Sequence, residues 1–190
     1  IWPTITKYDE VKASMVAVKE KYGRIDILIS NAGITRPEYG NFYDINMEKF
    51  EEVLDVNFRS GLYFAHVVAP FMKEQGGGSI VFTASITAIY GSTGNISYPT
   101  SKFALRGLSR CLAMELAKDQ IRVNCVAPGC TSTDMINHLP EKYLTMLNQS
   151  VPLGKVGDPE DIAESFLYLV SERGKHVTGI ILPVAGGGTT

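Results

Sequence analysis

Four short apolar runs constrain what this chain can fold into more tightly than anything else in it. Ile25-Asp26-Ile27-Leu28-Ile29, Ser79–Ala84, Ile121–Ala127 and Val177–Val184 are nearly continuous in apolar and β-branched residues. Runs of that kind read as strands covered on both faces, as in a parallel sheet. Helical patterns lie between them. Val11, Met15 and Val18 recur at helical spacing from Tyr8 to Tyr22, and Gly23 offers a C-terminal stop. Phe50, Leu54, Asn57, Gly61, Ala65 and Val68 step by 4, 3, 4, 4 and 3, one stripe on a long helix, Met47–Met72. Leu105, Leu108, Leu112 and Leu116 share a face of the helix after Tyr98, and Asp158-Pro159 reads as an N-cap followed by proline in the first helical position. The alternation implies an α/β fold, a doubly wound parallel sheet with helices on both faces. With no internal repeat and no linker, residues 1–190 read as one domain. Ile1–Thr6 is ambiguous, and the stretch from Asn137 to Val151 is expected to form a short helical lid.

In such sheets ligands bind outside the carboxyl ends of the strands. Asn31-Ala32-Gly33, Ser85 and Pro128–Thr133 all follow strand ends, and Tyr98 opens the next helix, so they converge on one rim. Ser85 lies thirteen positions before Tyr98, and Lys102 four after it. On a helix, i and i+4 share a face at about 5–6 Å between Cβ atoms, which sets the ammonium beside the phenol. Pro99 is expected in the first helical position, with Tyr98 at the helix mouth. A free phenol has a pKa of about 10 and is roughly one part in a thousand ionised at neutral pH. A neighbouring cation favours the phenolate, whereas burial opposes it. Tyr98 is thereby a candidate acid or base, with Ser85 bonding the same substrate oxygen. Alone, a Tyr-x-x-x-Lys pair is far more often a packed tyrosine with a solvated lysine; the shared rim is what raises it. Asn57 on an apolar stripe is either a core amide bonded to nearby backbone or an amide that serves the site.

Composition narrows the function classes. The chain has 190 residues, 45% hydrophobic and 20% charged, an ordinary globular balance. A formal charge of −2 gives no basic footprint for nucleic acid. No run of ~18 uncharged apolar residues is present, so neither a membrane span nor a secretory leader is expected. Cys111, Cys125 and Cys130 match no metal or Cys-x-x-Cys pattern, which leaves packing in a reducing compartment. The expectation is a cytoplasmic, metal-free protein.

Taken in order, these residues resemble the short-chain dehydrogenase/reductases, over roughly Tyr8 to Gly187. The matching features are Asn31-Ala32-Gly33, Asn57 within Asp-Val-Asn, Ser85, Tyr98-x-x-x-Lys102, Arg122-Val123-Asn124, Pro128-Gly129 with Thr133, Pro159-Glu160-Asp161-Ile162 and Val177-Thr178-Gly179. Each is weak alone; together, at the family's spacing, they are specific. The resemblance implies a Rossmann-like domain and an NAD(P)-dependent enzyme that interconverts a secondary alcohol and a ketone. In that family Tyr98 would be the general acid/base. Lys102 would lower its pKa and hold the nicotinamide ribose, Ser85 would orient the substrate oxygen, and Asn57 would hold a water in a proton relay. Asn31, Ala32 and Gly33 would line the cofactor cleft. Pro128, Gly129, Thr131 and Thr133 would contact the nicotinamide amide. The cofactor would be NAD or NADP and the partner a small-molecule alcohol or ketone. Helices Met47–Met72 and Pro99–Lys118 resemble those that pair in a homodimer or homotetramer. Ile86, Tyr90 and Ile96, with the segment from Asp134 to Pro152, are expected around a fairly apolar substrate.

The chain also departs from the family. The glycine-rich phosphate turn Gly-x-x-x-Gly-x-Gly is absent, Thr4 replaces an acidic residue, Ser30 a common Asn, Ala185 a common Asp, and Thr131 an aliphatic. Pyrophosphate binds the backbone N–H groups of such a turn, so the sequence carries half of a dinucleotide site. In the family's order the absent strands would pair with Ile25–Ile29, and an open apolar edge invites aggregation. The chain is therefore expected to be part of a longer protein, whose intact mass would exceed 20.8 kDa by several kilodaltons. A cofactor-free binding or structural protein of the same fold, and an epimerase or dehydratase that recycles its cofactor, are the other readings; net turnover of NAD(P)H separates them from a dehydrogenase.

Overall fold

The computed structural model describes residues 3–36, 41–137 and 139–188, with the side chains of Met135 and Asn137 left out. Ile1 and Trp2 of the ambiguous first segment and His138 of the expected lid lie outside them. Four parallel strands, β1 (Ile27–Ser30), β2 (Gly78–Thr83), β3 (Ile121–Pro128) and β4 (Ile181–Val184), lie side by side in chain order. Ile29 is level with Val81, Val81 with Asn124, and Val126 with Leu182. Successive strand side chains point to opposite faces, so Ile80 and Phe82 enter one layer and Val81 the other.

The first layer is made by α1 (Tyr8–Tyr22), α3 (Ser60–Glu74) and α5 (Ser97–Leu116). Ala65, Val68, Met72 and Leu105 pack there against Ile80, Phe82, Val123 and Cys125. The second layer belongs to α8 (Pro159–Val170), whose Phe166 and Leu169 cover Val81 and Val126. The N-terminus of α8 follows the sequence: Asp158 and Asp161 form a capping box and Pro159 occupies the first turn. Helix α1 ends at Gly23 with φ +79°, a left-handed conformation that glycine adopts without a Cβ clash. Helix α2 (Met47–Leu54) runs into α3 through a π-helical turn, Asp55–Arg59, that contains Asn57.

Several expectations need correction. The first strand is not covered on both faces: β1 is an edge of the sheet, with Ile27 and Ile29 46% and 44% exposed. The last strand is shorter than Val177–Val184. Gly179 sits at φ +75°, Asn124 bonds the Val177 carbonyl and the Ile180 N–H, and Thr178 Oγ1 accepts from Val123 N–H, so side chains share the pairing with two backbone bonds, Gly179 N–H to the Val123 carbonyl and Cys125 N–H to the Ile180 carbonyl, before Ile181. Helix α5 begins at Ser97, which puts Pro99 third instead of first and Tyr98 inside the helix. Proline is tolerated there because the first four helical N–H groups have no intrahelical partner. Of the three cysteines, Cys125 is buried, but Cys111 is exposed on α5 and does not pack. Between Asn137 and Val151 the expected short helix is α7 (Glu141–Ser150), and a four-residue helix, α6 (Asp134–Asn137), precedes it.

Leu105 is 1% exposed and joins α5 to the sheet. Leu105→Ala is expected to lower stability by about 2–5 kcal/mol, read as a lower urea midpoint with an unchanged slope.

Candidate active site

The carboxyl ends of β1, β2 and β3 open into one cleft of about 980 Å³. Asn31, Ala32 and Gly33 reach it from the end of β1, and Ser85 and Ile86 from the end of β2. Pro128, Gly129, Thr131 and Thr133 come from the end of β3, and Tyr98 and Lys102 face it from the first turns of α5. Its far wall is apolar, with Ile162, Phe166 and Val170 of α8 and Ile136 of α6. Asn57 stands behind this lining, 1% exposed. Tyr90 is 57% exposed and outside the lining; Ile96 borders a separate small recess with Arg36 and Phe42.

The lysine sets the electrostatics. Lys102 is 3% exposed, its Nζ donates to the Thr83 carbonyl at 2.8 Å, and it lies 5.5 Å from the centre of the Tyr98 ring. Burial pulls its pKa down to about 8, only partly opposed by the nearby Cys125 thiol. Burial likewise pushes the Tyr98 phenol above its ordinary value, with Ser85 pulling the other way. The expected lowering of the phenol by Lys102 is thus not what the protein alone displays. Loss of water around each charged form dominates, and both groups are driven toward neutrality. Ser85 Oγ is fixed by Thr87, through its N–H at 3.2 Å and its hydroxyl at 3.0 Å.

Asn57 is locked from three directions. Its Oδ1 accepts from the Ile34 N–H at 2.7 Å; its Nδ2 donates to the Ile34 carbonyl at 2.9 Å and to Ser101 Oγ at 3.0 Å. Both amide hydrogens are committed inside the protein, so a water held by Asn57 would meet an acceptor. Position 33 is tight: a Cβ there would lie 3.2 Å from Lys102 Nζ and 3.4 Å from Asn57 Oδ1, so the lysine head would have to give by a few tenths of an ångström. Gly129 is confined more strictly, since a Cβ would lie 2.7 Å from that of Ala185 and 2.8 Å from its Cα. Sequence reasoning missed Thr83, Asn95 and Ser101. Asn95 carried a signal, a side-chain acceptor three positions before Tyr98 at a helix start. Ser101 carried none, because its partner Asn57 is 44 positions away.

The family profile described as "Enoyl-(Acyl carrier protein) reductase" matches residues 4–189. The chain belongs to the short-chain dehydrogenase/reductase family. It is 45% identical over 185 residues to a 3α-hydroxysteroid dehydrogenase of Mediterraneibacter gnavus, covering 97% of this chain and 73% of that one. To the 3-oxoacyl-[acyl-carrier-protein] reductase FabG of Thermotoga maritima it is 39% identical, covering 96% and 74%. A solved 7α-hydroxysteroid dehydrogenase, complexed with NADH and 7-oxo glycochenodeoxycholic acid, superposes with a TM-score of 0.91 at 34% identity, covering 98% of this chain and 72% of that one.

As a short-chain dehydrogenase/reductase, the protein is an NAD(P)-dependent oxidoreductase of secondary alcohols and ketones. The chemistry of its cleft fits that cofactor. An ammonium has three donors, and Lys102 makes one hydrogen bond, to Thr83, with no carboxylate beside it among the described residues. A buried cation so placed suits neutral hydroxyls such as those of a ribose.

Lys102 also makes stability depend on pH. Between about pH 8 and its ordinary value of 10.5 the unfolded chain holds this proton and the folded chain does not, so stability rises with pH across that window. Below pH 8 the folded state carries the full cost of a buried charge. Lys102→Met lacks this dependence. Its Tm relative to the parent is expected to be highest near pH 7 and to fall steadily toward pH 10, measured by thermal melts across that range.

Proposed function

We propose that this protein interconverts a hydroxyl and a ketone on a rigid, largely apolar molecule of the hydroxysteroid class, with Tyr98 as the general acid/base. The observation that carries the reading is that Ser85, Tyr98 and Lys102 face one cleft whose opposite wall is aliphatic and aromatic. The likeness to two hydroxysteroid dehydrogenases supports the substrate class. Substrate would enter with its oxygen toward Ser85 and Tyr98 and its apolar body toward Ile86 and Ile136. When bound, the nicotinamide supplies or accepts the hydride. In reduction the phenol of Tyr98 gives its proton to the substrate oxygen, and in oxidation it takes that proton back. Ser85 bonds the same oxygen, and Thr87 keeps its hydroxyl in place. Lys102 would hold the ribose hydroxyls, with its charge next to the phenol from which a proton departs. Asn31, Ala32 and Gly33, with Pro128, Gly129, Thr131 and Thr133, would frame the nicotinamide end of the cofactor.

The same reading takes the chain as one nucleotide-binding domain of a cytoplasmic enzyme, assembled as a homodimer or homotetramer. The exposed Phe103 and Met114 on α5 support an assembly.

Turnover of NADH or NADPH is followed by absorbance with 3-keto and 7-keto steroids, and with a 3-oxoacyl thioester for comparison. Steroid reduction at the higher kcat/KM is expected; preference for the thioester would defeat the substrate assignment while leaving the role of Tyr98 standing. Tyr98→Phe is expected to lower kcat by about 10²–10⁴-fold with little change in the Kd for NADH. A Tyr98→Phe enzyme that still turns over would remove Tyr98 from the chemistry.

A further inference from the structure

Two hydrogen-bonded routes run from the backbone of Tyr98 to the loop that lines the cleft at 31–36. In the first, Ser101 Oγ donates to the Tyr98 carbonyl at 2.6 Å and accepts from Asn57 Nδ2 at 3.0 Å. Asn57 in turn holds both the N–H and the carbonyl of Ile34, the residue after Gly33. In the second, Asn95 Oδ1 accepts from the Tyr98 N–H at 3.4 Å while its Nδ2 donates to Thr35 Oγ1 at 2.8 Å. The Tyr98 N–H is therefore held by a side chain that also bonds the loop following β1, and the Tyr98 carbonyl by one that reaches the loop through Asn57.

Of the two routes, the one through Ser101 is the shorter-bonded and the more enclosed. Ser101 is 0% exposed and Asn57 1%. A serine bonding the carbonyl three residues earlier is common on helices and does nothing by itself. What differs here is the second partner. A hydroxyl has one hydrogen to give; Ser101 gives it to Tyr98, and its lone pair then receives the amide of Asn57. The direction of the chain of bonds is set by chemistry, because Nδ2 can only donate and the Tyr98 carbonyl can only accept. Asn57 itself sits in the π-helical turn Asp55–Arg59, which fixes where its amide can reach.

We infer that Ser101 is a positioning residue for the reaction: its buried hydroxyl fixes Tyr98 to Asn57 and, through Ile34, makes the phenol and the 31–36 loop a single unit. Removing the hydroxyl leaves one Asn57 hydrogen without a partner where no water reaches, so the amide turns away. The loop and the first turn of α5 then move independently. Binding on either side of the cleft survives such a change; the alignment of phenol with substrate oxygen does not. The inference rests on the reading of Tyr98 as the proton donor.

The test uses Ser101→Ala and the near-isosteric Ser101→Cys, whose sulfur is a weak donor and acceptor, so that one folded variant is in hand. Tyr98→Phe is measured in parallel. Both Ser101 variants are expected to lower kcat by about 10- to 100-fold while KM and the Kd for NADH stay within about threefold. A second readout needs no turnover. The ring resonance of Tyr98, assigned by its loss in Tyr98→Phe, is titrated by NMR in the cofactor-free protein. Its midpoint is expected to move down toward the ordinary tyrosine value as the first turn of α5 loosens and water enters. Parent-like kcat and an unmoved midpoint in either folded variant would overturn the inference. If Tyr98→Phe is dead and the Ser101 variants are parent-like, the inference alone fails; if Tyr98→Phe still turns over, the reading of the site fails with it.

Discussion

A buried ammonium with no carboxylate beside it among the described residues governs this molecule. Lys102 sits at the end of β2, tied to the Thr83 carbonyl and walled in by Gly33, Asn57, Cys125 and the ring of Tyr98. Such a charge is costly to bury unless it is paired and hydrogen-bonded, and its pKa falls to about 8 as a result. The surroundings are shaped to permit it. Position 33 has no side chain, the helix α5 delivers the lysine against a strand end, and the cleft lies open on the remaining side. The cost is localised where a polar ligand would relieve it, which is how functional sites hold perturbed groups.

The scaffold around that charge is conventional in its forces. Alternate residues of β2 and β3 feed two apolar layers, one with Phe82 and Leu105, the other with Val81 and Phe166. The sheet ends together at β1, β2 and β3, so three loops and one helix start meet without any of them being long. Polar side chains finish what the ladder does not: Asn124 holds the turn before β4, and Arg122 donates to the carbonyls of Leu169 and Val177. These two residues belong to the Arg122-Val123-Asn124 motif, and in the structure they brace the sheet at a distance from the cleft.

Much of this was legible in the chain. Helix α1 begins at Tyr8 and ends before Gly23 as its spacing and stop signal indicate, and the capped start of α8 follows from Asp158-Pro159. The pairing of Ser85, Tyr98 and Lys102 on one rim followed from strand ends and an i, i+4 step. Other features were not legible. The Ile25–Ile29 run reads as covered on both faces, yet Ile27 and Ile29 of β1 are half-exposed, at the edge where the family's order places further strands. Tyr90 and Ile96 lie near the site in sequence but face elsewhere, since a short helix at Thr87–Tyr90 and the turn after it redirect them. Cys111 looked like packing and is exposed because it falls on the outer side of α5.

The amino-acid sequence by itself determined the fold class, the family and the placing of Tyr98 and Lys102 on one helix face. The fold class and the Tyr98–Lys102 face rest on local periodicity and spacing, and the family rests on the resemblance of motifs taken in order along the chain. Only the tertiary structure decided the state of that pair. Whether Lys102 lowers the phenol or burial raises it depends on how much water the packed layers exclude, and that is a sum over residues scattered along the chain. The same holds for the bonds from Asn57 to Ser101 and Ile34, which join positions 44 and 23 residues apart. No local pattern encodes a contact of that kind; it exists because two helices and a strand end are pressed against the same small volume.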